Sequence, residues 1–128
     1  MQIKEKFLFG DITDKIIAAS YKVYNELGYG HPEKVYQNSL AVELEKIGLK
    51  YRRESYSKIL YDKTIVGRYF LDFLVEDKTA VEIKVRRELY KSDWLQLISY
   101  LKSNKIKVGL LIVFAKENLK IKRVVNNA

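Results

Sequence analysis

Asp72, Glu82 and Lys84 have the residue types and spacing of a carboxylate metal site with a cationic helper. Glu82 and Lys84 are two apart, so on a strand they share one face while Val81, Ile83 and Val85 share the other. A hairpin with a three-residue loop at 76–78 would set Val75 against Thr79, and hence Asp72 against Glu82. Directly opposed side chains hold their Cβ atoms about 4.5–5.5 Å apart. A two-residue loop would shift the register by one and turn Asp72 to the wrong face, so the loop length is part of the expectation. Carboxylates that close repel each other unless a divalent cation, a proton or Lys84 offsets the charge. A hard ion such as Mg2+ takes one or two carboxylates and keeps its waters; bound there it would polarise a phosphoryl oxygen and acidify a water. Lys84, one pleat away, would stabilise developing negative charge or orient the nucleophile. The plainer reading of D-x9-E-x-K is an ion-pair cluster at a solvated sheet end, and spacing alone leaves both open.

Composition narrows the choice of metal and partner. The chain has no cysteine and one histidine, His31, which excludes a disulfide framework, a thiolate zinc site and a cysteine nucleophile. Oxygen ligands are then the only basis for a metal site. Lys and Arg number 24 against 16 Asp and Glu in 128 residues, a net charge of +8 that fits a polyanionic partner. Residues 1–47 carry 6 basic and 7 acidic side chains, whereas residues 48–128 carry 18 and 9, so all of the excess lies behind residue 47. Solvated Lys-rich faces would explain the same numbers. The N-terminal MQIKEKFLFG is too charged for a signal peptide, and no stretch approaches the ~18 apolar residues of a spanning helix. One soluble, cytoplasmic domain over residues 1–128, with no membrane partner, is expected.

The elements that must position these side chains can be read from period and punctuation. Asp11 or Thr13 is expected to cap a helix running to about Leu27, with Ile16, Ser20, Val23, Tyr24 and Leu27 on one face. Gly28-Tyr29-Gly30 stops it, and Pro32 opens a second helix to about Ile47, with Tyr36, Leu40, Leu44 and Ile47 inward and Gly48 closing it. Residues 50–61 and 64–75 then read as strands joined at Asp62-Lys63, with a third strand over Thr79–Val85. Ser92 is expected to cap a helix from Asp93 to about Ser103. Lys107–Phe114 reads as a central strand and Leu119–Val125 as an edge strand. That edge could pair in a homodimer or stay blunted by Lys120, Lys122 and Arg123. The order α-α-β-β-β-α-β-β indicates an α/β domain with a mixed sheet.

Further features accompany the central residues. Glu33 stands in the opening turn of the second helix with Tyr36 nearly one turn on, an arrangement that complementarity to the helix dipole would also produce. Gln96 and Tyr100 share a helix face, or are simply a surface glutamine above a core tyrosine. Arg86 and Arg87 directly follow the E-x-K strand, where they could meet backbone phosphates. Tyr51, Tyr56, Tyr61 and Tyr69 interleave with Lys and Arg, as where bases stack, and equally as in strands packing a sheet face.

With these motifs in order, the sequence resembles the family of small proteins named for their G-x-x-E-x-x-Y motif, grouped with the PD-(D/E)XK nuclease superfamily. Gly30, Glu33 and Tyr36 match the naming motif, and Asp72 with Glu82-Ile83-Lys84 matches the central D…E-x-K. Gln96-xxx-Tyr100 is similar to the Q-x-x-x-Y element of RecB-like members. Leu71 stands where the motif's proline is expected, and His31-Pro32 where similar proteins often carry Phe-Leu. The resemblance spans about residues 8–125. It implies a restriction-endonuclease-like core and a Mg2+-dependent nuclease, with Mn2+ as a substitute ion and DNA as the expected substrate. Asp72 and Glu82 would then be metal ligands, with the Ile83 carbonyl completing the inner shell and Glu33 acting through water or a second metal. Lys84 would be the catalytic lysine, Gln96 would join the catalytic group, and Tyr36, Tyr100, Arg86 and Arg87 would face substrate. A nucleic-acid-binding or adaptor module that keeps the fold without turnover is the alternative.

Overall fold

The computed structural model describes residues 9–126. The charged N-terminal stretch read above as carrying no signal peptide falls largely in residues 1–8 and so lies mostly outside the described residues. Two helices come first, α1 (Gly10–Leu27) and α2 (Glu33–Lys46), followed by β1 (Tyr51–Tyr61), β2 (Thr64–Val75) and β3 (Thr79–Val85). Helix α3 (Lys91–Asn104) then leads to β4 (Val108–Phe114) and β5 (Leu119–Val125). The five strands form one sheet in chain order, antiparallel throughout except for the parallel pair β3–β4. A parallel pair needs a crossover, and α3 is that crossover.

Each face of the sheet has its own core. On one side α1 and α2 bury Ile16, Val23, Tyr36, Leu40 and Leu44 against Phe73, Val81, Ile83, Leu110, Ile112 and Phe114. On the other, α3 buries Leu97, Tyr100 and Leu101 against Leu71, Leu74, Ala80, Leu111 and Val113. Strand β4 is buried at every residue because helices cover both of its faces, which is why it reads as an unbroken apolar run. Gly109 lets α3 approach closely: a Cβ there would stand 3.1 Å from the Leu97 side chain.

The hairpins follow the expected turns. Asp62 and Lys63 both take positive φ (50° and 62°), the two-residue turn whose twist suits a hairpin. The loop after β2 is the three-residue one: Val75 pairs with Thr79, Lys78 N–H donates to the Val75 carbonyl at 3.0 Å, and Glu76 and Asp77 take positive φ.

Several element ends differ from expectation. The first bond of α1 runs from Thr13 N–H to the Phe9 carbonyl, and the Thr13 hydroxyl donates to the Gly10 carbonyl, so neither Asp11 nor Thr13 caps the helix. Asp93 N–H donates to the Tyr90 carbonyl, which starts α3 at Lys91 and leaves Ser92 inside its first turn. Ile47 follows the last turn of α2 and is exposed rather than inward. Pro32 is the residue before that helix, not its first turn.

Strand β3 pairs with β2 only from Val75 back to Phe73, so the outer parts of β1 and β2 pair with nothing but each other. They form a two-stranded arm rising from the sheet beyond Asp72. At the opposite edge of the sheet, on β5, Lys120 pairs with Glu88 at 3.2 Å and Lys122 lies over the Trp94 ring.

Candidate active site

The arm begins where the alternation of β2 slips. Leu71 and Leu74 are three apart, yet both enter the α3-side core, and Asp72 sits in the slip between them. Glu54, between the pairs Arg53–Phe73 and Ser55–Leu71, has φ 54°, an unusual backbone for a non-glycine residue in a strand. Here β2 and β3 part, and side chains take over from the backbone ladder. Ile83 N–H donates to Asp72 Oδ2 at 2.7 Å, and Asp72 N–H donates to Glu82 Oε1 at 3.3 Å. The two carboxylates expected to face each other are therefore neighbours across the opening.

Both are held from the helices and the arm as well. Gln37 of α2 donates from Nε2 to Asp72 Oδ1 at 2.9 Å, and the Tyr69 hydroxyl donates to Glu82 Oε2 at 2.8 Å. The Tyr69 ring lies 5.6 Å from that of Tyr100, which is buried on α3, so α3 supports the Glu82 partner from behind. Burial first, then the Asp72 charge, pushes the Glu82 carboxyl up to about 8. Burial and the adjacent Glu82 push the Tyr69 phenol up too, so it stays a hydrogen-bond donor.

Lys84 is half-buried on the same strand and makes no ion pair among the described residues. Its charge opposes the upward shifts of both Glu82 and Glu33. Glu33 opens α2 with an exposed side chain, but desolvation on its inner side and the Asp72 charge push its carboxyl up. Arg86 pairs with Asp93 at 3.1 Å, lies over the Tyr90 ring, and also acts on Glu33.

Other expected residues stand elsewhere. Tyr36, expected to face substrate, is fully buried: its hydroxyl donates to the Gly28 carbonyl and its ring stacks on Phe114 at 4.2 Å. It fixes the α1–α2 connection and cannot touch a substrate. Tyr100 is likewise a core residue. Gln96 is exposed on α3 and hydrogen-bonded to no described residue, the surface glutamine of the plainer reading. Arg87 lines a separate depression with Glu88, Lys116 and Lys120. Of the interleaved tyrosines, Tyr51 packs on the core and Tyr69 serves Glu82, leaving only Tyr56 and Tyr61 well exposed.

Gln37 and Asp93 escaped the sequence reading, and Tyr69 serves Glu82 rather than a base. Gln37 lies one helical turn after Glu33, so the face that carries Glu33 also carries it, which was the available signal. Tyr69 precedes Asp72 by three, and only the slip in β2 brings its hydroxyl to Glu82. Asp93 is buried, and its Oδ2 finds no partner among the described residues. Nothing in its neighbours marked it.

The donor set suits a hard cation. Each carboxylate oxygen accepts one protein hydrogen bond and keeps a further lone pair, and two facing carboxylates are the complement Mg2+ commonly takes from protein. Among the described residues no group of three or more His, Cys, Asp or Glu side chains is clustered for ligation, so such an ion would depend on carbonyl and water oxygens for the rest.

A mixed sheet between helices, with paired carboxylates where its hairpin opens, is the core of an α/β nuclease-like fold. A sequence model of the PD-(D/E)XK nuclease superfamily matches residues 10–124, and the chain belongs to that superfamily. That superfamily is one of nucleases, which typically use divalent metal ions. Among solved structures the chain is similar in fold to the crystal structure of SSO0001, with a TM-score of 0.58 and 14% identity over 74% of this chain. The match covers 50% of SSO0001, so this chain spans about half of that protein's length. No curated protein matches the sequence significantly. No helix among the described residues is long and apolar enough to cross a membrane.

Proposed function

We propose that the chain is a cytoplasmic, Mg2+-dependent nuclease of the G-x-x-E-x-x-Y group that hydrolyses phosphodiester bonds in DNA. The observation that carries this reading is the Asp72–Glu82 carboxylate pair at the parting of β2 and β3, with Lys84, which makes no ion pair among the described residues, on the same strand. Asp72, Glu82 and the Ile83 carbonyl would hold the ion. When bound, Mg2+ or Mn2+ would supply Lewis acidity toward a phosphoryl oxygen and a more acidic water. Gln37 and Tyr69 keep the two carboxylates aimed by donating to their outer oxygens. Lys84, in no ion pair among the described residues, offers its ammonium to negative charge growing on the phosphate. Glu33 opens α2 within reach of the Asp72 charge, where an outer water would find an acceptor. Arg86, held by Asp93, presents a fixed cation to the backbone of the strand.

A binding or adaptor module without turnover is the second reading. It draws on the fact that all four carboxylate oxygens already accept a hydrogen bond from the protein.

Incubation with plasmid, linear and single-stranded DNA in Mg2+ or Mn2+, against EDTA, separates the two. Cleavage should occur with the metal and fall about a hundredfold or more in Glu82→Ala and Lys84→Ala, as when a group stabilising the transition-state charge is lost. Cleavage that persists in both variants would remove these residues from the site. No cleavage of any substrate, with salt-sensitive binding retained, would favour the adaptor.

A further inference from the structure

Beyond Leu71 the outer arm adds only Tyr69 to the edge of a core, yet its sequence is not that of a neutral hairpin. Between residues 51 and 71 it carries Arg52, Arg53, Lys58, Lys63 and Arg68 against Glu54 and Asp62. Cross-strand pairing sets Tyr56 against Phe70 and Lys58 against Arg68. Opposed residues share a face, and so do residues two apart along a strand, so these four side chains lie together. The face behind them carries Tyr69 and Leu71, which turn toward Glu82 and the α3-side core.

Two properties of this patch ask for a ligand. Tyr56 is 51% exposed and Phe70 60%, and their rings touch at 5.6 Å, forming one aromatic surface open to solvent. Lys58 and Arg68 are like charges directly opposed on adjacent strands, an arrangement that destabilises a hairpin, and neither has an ion-pair partner among the described residues. An anion laid across them would relieve that repulsion. Phe70 is two residues from Asp72, about 7 Å along the strand, so the patch leads straight into the carboxylate pair.

We infer that this face of the arm seats a nucleic-acid strand with unpaired bases, its bases stacked on Tyr56 and Phe70 and its phosphates on Lys58 and Arg68. Unpaired bases are the occupant that fits, because a base within a duplex already has both of its faces covered by stacked neighbours. A second copy of this chain fits poorly: two-fold pairing of the patch would bring two Lys58 and two Arg68 side chains together. Delivery of the strand to Asp72 and Glu82 rests on the nuclease reading; the seating itself does not.

Binding measured in EDTA, where no metal-dependent cleavage can occur, tests the seat. The probes are a fluorescein-labelled oligothymidylate and a duplex of equal length, followed by anisotropy across a salt series, with circular dichroism and melting to confirm folding. The native chain should prefer the single strand, and Tyr56→Ala/Phe70→Ala should weaken that binding about tenfold or more. Tyr56→Phe/Phe70→Tyr keeps both ring faces and should bind as the native chain does. Lys58→Gln/Arg68→Gln should lower the salt slope by about 1.4, for two lost phosphate contacts. Tyr21→Ala, which removes an exposed ring on α1, should change nothing. Unchanged single-strand binding in the alanine pair would overturn the inference, as would native preference for the duplex. Light scattering that shows a dimer lost in the alanine pair, with nucleic-acid binding unaltered, would replace the strand by a second copy. Cleavage in Mg2+ is scored separately. Ring-dependent binding without cleavage sinks the nuclease reading and keeps the seat, whereas cleavage with ring-independent binding does the reverse.

Discussion

Strand β2 is two different structures in one element. From Leu71 to Val75 it is almost wholly buried, and from Phe73 on it is paired on both sides, whereas from Thr64 to Phe70 it is mostly exposed and paired only with β1. The inner half is held by packing against both cores, and its residue choices answer to volume and apolarity. The outer half is held by hairpin pairing and by Tyr69, which donates to Glu82 and packs on Tyr100, while Phe70 and Arg68 face solvent. Asp72 lies at the junction, where the ladder to β3 has just ended and the backbone N–H of Ile83 is free to hold a carboxylate. A metal-ligating carboxylate needs such a place: rigid because the core is adjacent, accessible because one strand has moved away.

The largest effect should come from the inner region. Phe114 is fully buried at the end of β4, stacked on Tyr36 and tilted against Tyr24. Phe114→Ala would remove the shared contact of α1, α2 and the sheet, at a cost of about 3–5 kcal/mol. Against a domain stability of about 5–15 kcal/mol, that is enough to lower the denaturation midpoint markedly. Urea unfolding checks it; a loss no larger than that of a surface substitution would mean that the Tyr36–Phe114 stack is not what joins the helices to the sheet.

At the junction the expected effect is smaller and depends on pH. The folded protein holds the Glu82 proton more tightly than the unfolded chain does, because the carboxyl is pushed from its ordinary 4.5 up to about 8. Below about pH 4.5 the group is protonated in both states and costs nothing. As pH rises toward 8, the unfolded chain loses the proton first, and stability falls across that window. Glu82→Gln keeps the shape and abolishes the titration, so in EDTA it should melt several degrees above the native chain at pH 8 and converge with it near pH 4. Mg2+ should raise the native melting temperature and leave the variant's almost unmoved. Parallel melting curves at all pH values would show that the junction carboxylate is not strained by burial.

How far the sequence reached follows the same division. Strand β4 and the two N-terminal helices were legible because a core imposes period and apolarity on its residues, which survive in the order of the chain. The register of β2 with β3 was legible because a three-residue loop leaves only one pairing, and that pairing set Asp72 beside Glu82. Tyr36 was misassigned because a motif tyrosine and a core tyrosine look alike until burial is known; only the stack on Phe114 decides it. Gln37 and Asp93 were missed because their partners, Asp72 and Arg86, are distant or on another element, and no local period encodes such a meeting. The positive φ of Glu54 could not be anticipated either, since nothing in Arg-Glu-Ser asks for it.

The smallest stability effect belongs to the arm, and there its sign is informative. Lys58→Glu would replace the opposed cations by an ion pair with Arg68, which should firm the hairpin by about 0.2–0.5 kcal/mol, an exposed cross-strand pair being screened by solvent. Hydrogen exchange of the arm amides should slow slightly while the global melting temperature barely moves. If the face is a strand seat, the same substitution puts a negative charge where a phosphate is to lie, and oligothymidylate binding should fall by more than the neutral Lys58→Gln lowers it. A firmer arm that binds less would mean that the like-charge pair is retained at the expense of the fold because the ligand needs it. A firmer arm that binds as before would mean that the two cations are merely solvated, and the outer half of β2 would then differ from the inner half in burial and pairing alone.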